Sequence, residues 1–375
     1  MGASIFSFLM SLIWCSIFLI IAIIWNKTMM LKHGTGFALA AIAIGIGRLF
    51  LPLDLPVSVI IRSTSIMPTA QRYFDMPVFN ANGIAISKFD VLLAVWLTGS
   101  TIYLIWIITS LLLQKLWISK MELRPVPIAK EILEEIVSKS RPGQKFEIFE
   151  SDDVKSPMLT GYFIPIILYP SITLSEKDTK YVLLHEWNHF LHKHLWIKLI
   201  FNIFCAILWW NPLVYMAKSD LDYILEVNCD RYVIRELEQN RRSEYVAALA
   251  EVIKQLNSTT LHKPRGTVGF IGMVGSQIVK RCELILCPPK VLTKRIIFFL
   301  SAALLFLFVC SYSVVLQTAY MPPPDSLGFV EVSHNNSFLR PNTDGSYDLY
   351  VGGQFTDRID PKTARVEPYC LLQIK

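Results

Sequence analysis

Residues 180–189 read Lys180-Tyr181-Val182-Leu183-Leu184-His185-Glu186-Trp187-Asn188-His189. The run is entered through an acidic turn at Glu176 and Asp178, so a helix is predicted across it. On a helix, positions i and i+4 project from one face, and both imidazoles of this HExxH pattern can meet one zinc ion. Glu186 lies beside the pair, where a carboxylate can take a proton from water held by that ion. Taken alone, the pattern also fits two histidines on an amphipathic surface helix.

Downstream stands Glu226-Val227-Asn228-Cys229-Asp230, an ExxxD spacing on a second predicted helix. Glu226 would complete a two-His, one-Glu site with its fourth position left to water. Asp230, one turn on, would accept the outer N–H of a ligating imidazole, His185 being the expected one. By itself ExxxD is a weak pattern, since carboxylates at helical spacing usually form a solvated face. Together with HExxH it points to metal-assisted peptide hydrolysis. The seven cysteines, at 15, 205, 229, 282, 287, 310 and 370, form no CxxC pair. Neither a disulfide framework nor a thiolate zinc site is expected.

The surrounding chain is apolar. Of 375 residues 53% are hydrophobic and 18% charged, with mean hydropathy +0.43, which excludes a disordered chain, a collagen-like repeat and a basic nucleic-acid module. Ser4–Trp25, Val91–Gln114 and Ile296–Gln317 carry no charge over 22, 24 and 22 positions. A fourth run, from Gly36 to about Leu55, is broken only by Arg48, Pro52 and Asp54. Each is long enough for a transmembrane helix. The first lacks the basic leader and cleavage site of a signal peptide.

Cations flank the runs at Lys27 and Lys32, at Lys115, Lys120 and Arg124, and at Lys290, Lys294 and Arg295. All three clusters fall on the cytoplasmic side if the N-terminus is outside, which also puts residues 56–90 and the tail after 317 outside. Arg62, Arg72 and Lys88 in the outer loop make that bias moderate. Arg48 is expected to snorkel at the outer end, with a bundle-facing functional charge as the alternative. Leu195–Ala217 is also apolar but interrupted by Lys198, Asn202 and Asn211-Pro212. His189 and Glu226 must reach one ion, so the chain between them crosses an even number of times, and 23 residues cannot cross twice. A re-entrant or interfacial helix is expected, with Trp196, Trp209 and Trp210 at headgroup depth, or else a soluble core helix.

These residues carry a resemblance. HEWNH, the upstream SPMLTGYFIPIILYPSITLSEKDTKYVLLHE (156–186) and the downstream WWNPLVYMAKSDLDYILEVNCDRYV (209–233) resemble the BlaR/MecR family of integral-membrane zinc peptidases, antirepressors of beta-lactam resistance. The resemblance runs from the N-terminus to about Leu316. It implies His185, His189 and Glu226 as ligands of one Zn2+, Glu186 as general base, and Asp230 as support for a ligand. Members commonly have Asp where this chain has His194, and His192 and His194 are expected to be exposed or interfacial. The apolar segment 157–169 reads as two short strands, either a cradle holding the substrate backbone by strand addition or a core hairpin. Arg231, Tyr232 and Tyr162 are open candidates for stabilising the oxyanion. In the family a linker such as 262–276 can be an autolysis site, and a plain connector is the alternative.

Lys130–Ser151 reads as an amphipathic helix and a strand, Ser243–Leu256 as a helix. In the tail, Tyr347–Val351 and Gln354–Ile359 flank Gly352-Gly353 as a hairpin. The tail has no SxxK, SDN or KTG motif, Lys362-Thr363-Ala364 only approaching the last, so acylation by penicillin is not expected. The expected whole is a mainly α bacterial membrane protein with four transmembrane helices. Residues 1–120 hold three spans (about 4–25, 36–55 and 91–114). Residues 121–290 form a cytoplasmic-side gluzincin-like α+β zinc protease domain with the re-entrant or interfacial helix near 195–217. The last span is 295–317, and 318–375 form a small outer β module. The implied partners are the lipid bilayer and a cytoplasmic protein substrate, a winged-helix repressor by family analogy; direct nucleic-acid binding is not expected and a homodimer is left open. The rivals are a constitutive quality-control protease and a signalling receptor whose zinc site is structural.

Overall fold

A computed structural model describes residues 5–51, 59–63, 66–81, 84–237, 241–259, 275–288, 293–318, 332, 336–342, 344–365, 369 and 372–374. The chain opens with helices α1 (Ile5–Thr28), α2 (Met30–His33) and α3 (Gly36–Phe50), then β1 (Val59–Ser63), α4 (Ile66–Asp75), β2 (Pro77–Ala81) and β3 (Ile84–Ser87). Helix α5 (Lys88–Lys120) leads to β4 (Arg124–Pro125), α6 (Pro127–Ser140), β5 (Glu147–Ser151), β6 (Met158–Thr160) and β7 (Ile166–Pro170). Helices α7 (Glu176–Leu191), α8 (His194–Ile207), α9 (Pro212–Glu236), α10 (Arg242–Thr259), α11 (Gly275–Leu286) and α12 (Lys294–Ser313) follow. The chain closes with β8 (Val314–Thr318), β9 (Ser337–Pro341), β10 (Tyr347–Val351), β11 (Gln354–Ile359) and β12 (Gln373–Ile374). Two compact units result: Met1–Val57 with Val95–Ser313, and Ser58–Ala94 with Val314–Lys375.

In the first unit, Ala38, Ala41 and Gly45 give α3 a small-residue face that lies close on α1; a Cβ on Gly45 would stand 3.1 Å from Phe18. Phe18, Leu19, Phe204, Leu208 and Ile224 join α1, α8 and α9 in one buried apolar cluster. A mixed sheet of order β4-β5-β7-β6 is covered by α6 and α7, with Leu133, Ile148, Ile167, Leu183 and Trp187 buried between them. Burying each such aliphatic side chain contributes roughly 1.5–3 kcal/mol. Trp187 also satisfies its indole, donating to Ser140 Oγ at 2.7 Å.

Among the described residues, three single helices are long and apolar enough to cross a bilayer: Phe8–Thr28, Lys88–Lys120 and Lys294–Ser313. Helix α3 is shorter than the span predicted at 36–55, ending at Phe50, and residues 52–55 lie outside the described residues. The last positions predicted for the final span, 314–317, leave the helix and enter β8, which pairs in parallel with β1. Arg48 does not snorkel. It is 2% exposed, its Nε donates to Ser311 Oγ and its Nη1 to Ser11 Oγ and the Leu51 carbonyl, and its guanidinium lies 4.0 Å from the Tyr312 ring centre. A buried cation persists only where its donors find acceptors, and α1, α12 and the C-terminal end of α3 supply them here.

The predicted re-entrant stretch is broken at 208–211 into α8 and α9. Asn211 caps α9, its Oδ1 accepting from Leu213 N at 3.0 Å with Pro212 in the first turn. The turn is seated on α5 by a reciprocal indole pair: Trp96 Nε1 donates to the Ile207 carbonyl at 2.8 Å, and Trp209 Nε1 to the Trp96 carbonyl at 3.2 Å. Trp209 therefore packs on α5 at positions 96–99, in the first half of the apolar run 91–114. A Cβ on Gly99 would overlap the Trp209 ring. Gly99→Ala is expected to destabilise the detergent-solubilised protein by about 1–3 kcal/mol, and adding Trp209→Ala should cost less than the two single losses summed. Strictly additive unfolding data would contradict that seat.

In the second unit, β2 and β3 form a hairpin, and a sheet of order β11-β10-β9-β12 buries Leu339, Leu349 and Ile359. Gly352 and Gly353 link β10 to β11 with φ of 60° and 84°, the left-handed pair that a tight hairpin turn requires.

Candidate metal centre

Helix α7 starts where Ser175 Oγ accepts from Asp178 N at 3.1 Å. With Leu183 and Trp187 turned into the core, the helical period sends His185 and His189 to another face, toward α9. There Glu226 meets them. His185 Nε2 and His189 Nε2 are 3.3 Å apart, and the Glu226 carboxylate oxygens lie 3.4 Å from the first and 3.5 Å from the second. Glu186, beside them on α7, is 5% exposed. Burial pushes its carboxyl up to about 7 against the opposing pull of His185.

The outer nitrogens are also engaged. His185 Nδ1 stands 3.2 Å from Asp230 Oδ1 and 3.1 Å from the Tyr245 hydroxyl, which itself donates to Asp230 Oδ1 at 2.8 Å. Arg281 clamps Asp230 through Nε (2.7 Å) and Nη2 (2.8 Å), and its Nη1 lies 3.4 Å from Glu226. Burial alone would raise the Asp230 carboxyl, but Arg281 and His185 outweigh it and hold it at about 2. On Glu226, His189, His185 and Arg281 likewise overcome burial and keep the carboxyl well below its usual range.

Sequence reading passed over Tyr245 and Arg281, which lie 15 and 51 residues beyond Asp230 and share no local spacing with it. It also placed His194 wrongly. That residue is buried, its Nδ1 2.9 Å from His189 Nδ1 and 3.4 Å from Cys229 Sγ. The reason is Lys193, whose left-handed φ of 55° interrupts the helix and sets α8 at 52° to α7. His192 stacks on Tyr232 with ring centres 3.6 Å apart. Of the oxyanion candidates, Tyr232 is thus held by His192, and Tyr162 packs edge-on against Trp196.

Strand β6 is the edge of its sheet, antiparallel to β7. Beyond it, Gly161 (φ 86°) allows a tight loop, since a Cβ there would run into the Ile164 carbonyl. Tyr162 and Phe163 of this loop, with Phe190, Trp196 and His189, line a cavity of about 290 Å3 that also takes in Arg141 and Lys193.

A model of the BlaR1 peptidase M56 family matches residues 12–281, nearly three quarters of the chain and every residue of this centre. The chain belongs to the M56 family. It is 28% identical over 173 residues to regulatory protein BlaR1 of Staphylococcus aureus, covering 45% of this chain and 28% of that protein. Over 235 residues it is 25% identical to the methicillin resistance mecR1 protein of Staphylococcus aureus strain Mu50, covering 60% and 38%. With regulatory protein BlaR1 of Bacillus licheniformis the identity is 30% over 122 residues, 32% and 20% of the two chains. The chain thus spans well under half the length of these relatives. Its family and its apolar helices make it a bacterial membrane protein of the BlaR/MecR metallopeptidase type.

Membership in M56 implies metal dependence, and the donor atoms suit an ion. A tetrahedral ion about 2.0–2.1 Å from each donor needs donors about 3.3–3.4 Å apart, close to the His185, His189 and Glu226 separations. Cys229 also falls in range, with one donor atom each from it, His185 and His189 lying within 4.8 Å of one another. The carboxylate is the better third donor. It stands 3.4 and 3.5 Å from the two imidazole nitrogens and its pKa is held low, whereas burial and the nearby Glu226 and Asp230 push the Cys229 thiol well above its ordinary value.

Proposed function

We propose that this chain is a zinc endopeptidase of transmembrane signalling, and that its substrate is a cytoplasmic protein, a winged-helix transcriptional repressor. The observation that carries the reading is the cluster of two buried imidazoles and the part-buried Glu226 carboxylate, with a second carboxylate, the buried Glu186, next to it. His185, His189 and Glu226 would hold the zinc, and Asp230 would support His185. When bound, zinc supplies a Lewis acid that polarises a carbonyl oxygen and acidifies water. Glu186 takes the proton of the attacking water and returns it to the leaving amine. The edge strand β6 offers its free backbone groups to an extended peptide, and the cavity beside His189 receives one of that peptide's side chains.

In this reading α1, α3, α5 and α12 cross the cytoplasmic membrane, with the N-terminus and the tail outside and the peptidase centre on the cytoplasmic side. The α8–α9 hairpin dips into the bilayer and returns to the same side. Its turn meets Trp96 and Gly99 of α5 and Ser16 of α1, which supports a deep rather than superficial position. Family analogy supplies the repressor as target and self-cleavage at residues 262–276, which lie largely outside the described residues.

The test uses the full chain in detergent and in native membranes. One zinc per chain, cleavage of peptides and of the candidate repressor, loss of cleavage on chelation and its return with zinc are expected. Bound zinc with no cleavage under either condition would favour a receptor with a structural ion.

A further inference from the structure

We infer that His194 is the positioning residue of His189, a neutral imidazole that fixes which nitrogen of His189 faces the metal. The inference rests on the proposed zinc site and adds to it. Two facts of geometry carry it. The Nδ1 atoms of His189 and His194 are 2.9 Å apart, with ring planes at 79°, and both residues are buried. At that distance two lone pairs would repel and two N–H groups would collide, so one of the two nitrogens carries a proton and the other accepts it.

The inner side of His189 decides which. Its Nε2 faces His185 Nε2 and Glu226, and to donate to an ion there it must present a lone pair. The His189 proton then sits on Nδ1 and is donated to His194 Nδ1. His194 in turn carries its own proton on Nε2. Cys229 Sγ, 3.4 Å from the accepting nitrogen, can only add a weak S–H donor to the same lone pair.

The two imidazoles are thus oriented by unlike partners: His185 by the anionic Asp230 with Tyr245, His189 by an uncharged ring. The left-handed backbone at Lys193 is what brings this ring to His189, because an ordinary helical residue there would continue α7 past it. A nitrogen acceptor fixes the tautomer as a carboxylate would, and does so without adding another carboxylate to a centre that already holds Glu226, Asp230 and Glu186.

The experiment compares wild type, His194→Leu and His194→Gln as full-length protein in detergent. It measures zinc affinity by chelator competition, the visible spectrum of the cobalt-substituted protein, and thermal unfolding of the metal-free form. Loss of a partner beyond the metal shell typically weakens binding about 10- to 100-fold. His194→Leu should show that loss with an altered cobalt spectrum, and His194→Gln, whose amide oxygen can accept, should recover most of both. Wild-type zinc affinity and spectrum in His194→Leu would overturn the inference while leaving the zinc site standing. So would lowered metal-free stability in both variants with unchanged affinity, which marks a packing role. Zinc binding by none of the three, wild type included, would remove the proposed site and this inference together.

Discussion

Glu186→Gln is expected to keep its metal and lose about 10²- to 10⁴-fold of peptide hydrolysis, the range that a positioned acid–base group supplies. The substitution preserves shape in a place that is 5% exposed, so packing on α7 should hold. It removes the ability to accept a proton, while His185, His189 and Glu226 retain their donor atoms. Burial raises this carboxyl to about 7 with no ion bound, and the charge of a bound cation would lower it toward the base form that takes the proton. Zinc content should be measured beside the rate. Unchanged hydrolysis with full zinc would assign the proton transfer to another group.

Arg281→Met should destabilise the protein by about 3–5 kcal/mol, because it leaves buried carboxylates without their cation. Arg281 is 2% exposed, makes two hydrogen bonds to Asp230 and pairs with Glu226. Methionine fills much of the same volume, so the loss isolates charge rather than space. Adding Asp230→Asn should recover part of the loss, since it removes one of the stranded charges, and denaturant unfolding of the metal-free form would read this coupling. A loss below about 1 kcal/mol would mean that the network is solvated enough not to need the arginine.

The legible parts of the molecule were those written in local spacing. HExxH and ExxxD each fall on one helix face, so the four residues His185, His189, Glu226 and Asp230 could be grouped before any fold was known, and the structure brings them together. The Gly352-Gly353 hairpin was local too. Arg281 and Tyr245 were not legible, because a buried arginine and tyrosine look like any others until α10 and α11 pack on α9. His194 was misread because one left-handed residue, Lys193, breaks the helical period between α7 and α8, so spacing could not say which way its ring faces. Arg48 was misread because hydropathy describes a helix by itself, while its acceptors come from α1 and α12. The β1–β8 pair joins residues about 250 positions apart and left no signal in a run that reads as the end of a span.

Trp96 and Gly99 stand three residues apart on α5, on one face of the helix. The Trp209 indole fills the space above Gly99 and the two tryptophans bond each other's segments, so the joint has no backlash. Close packing of the indole on Gly99 leaves the 207–211 turn no void into which to shift against α5. Helix α9 leaves that turn and reaches Glu226 fourteen residues after Pro212, about 21 Å along its axis. One unbroken helix therefore ties the turn held by the indole pair to the Glu226 carboxylate of the metal centre.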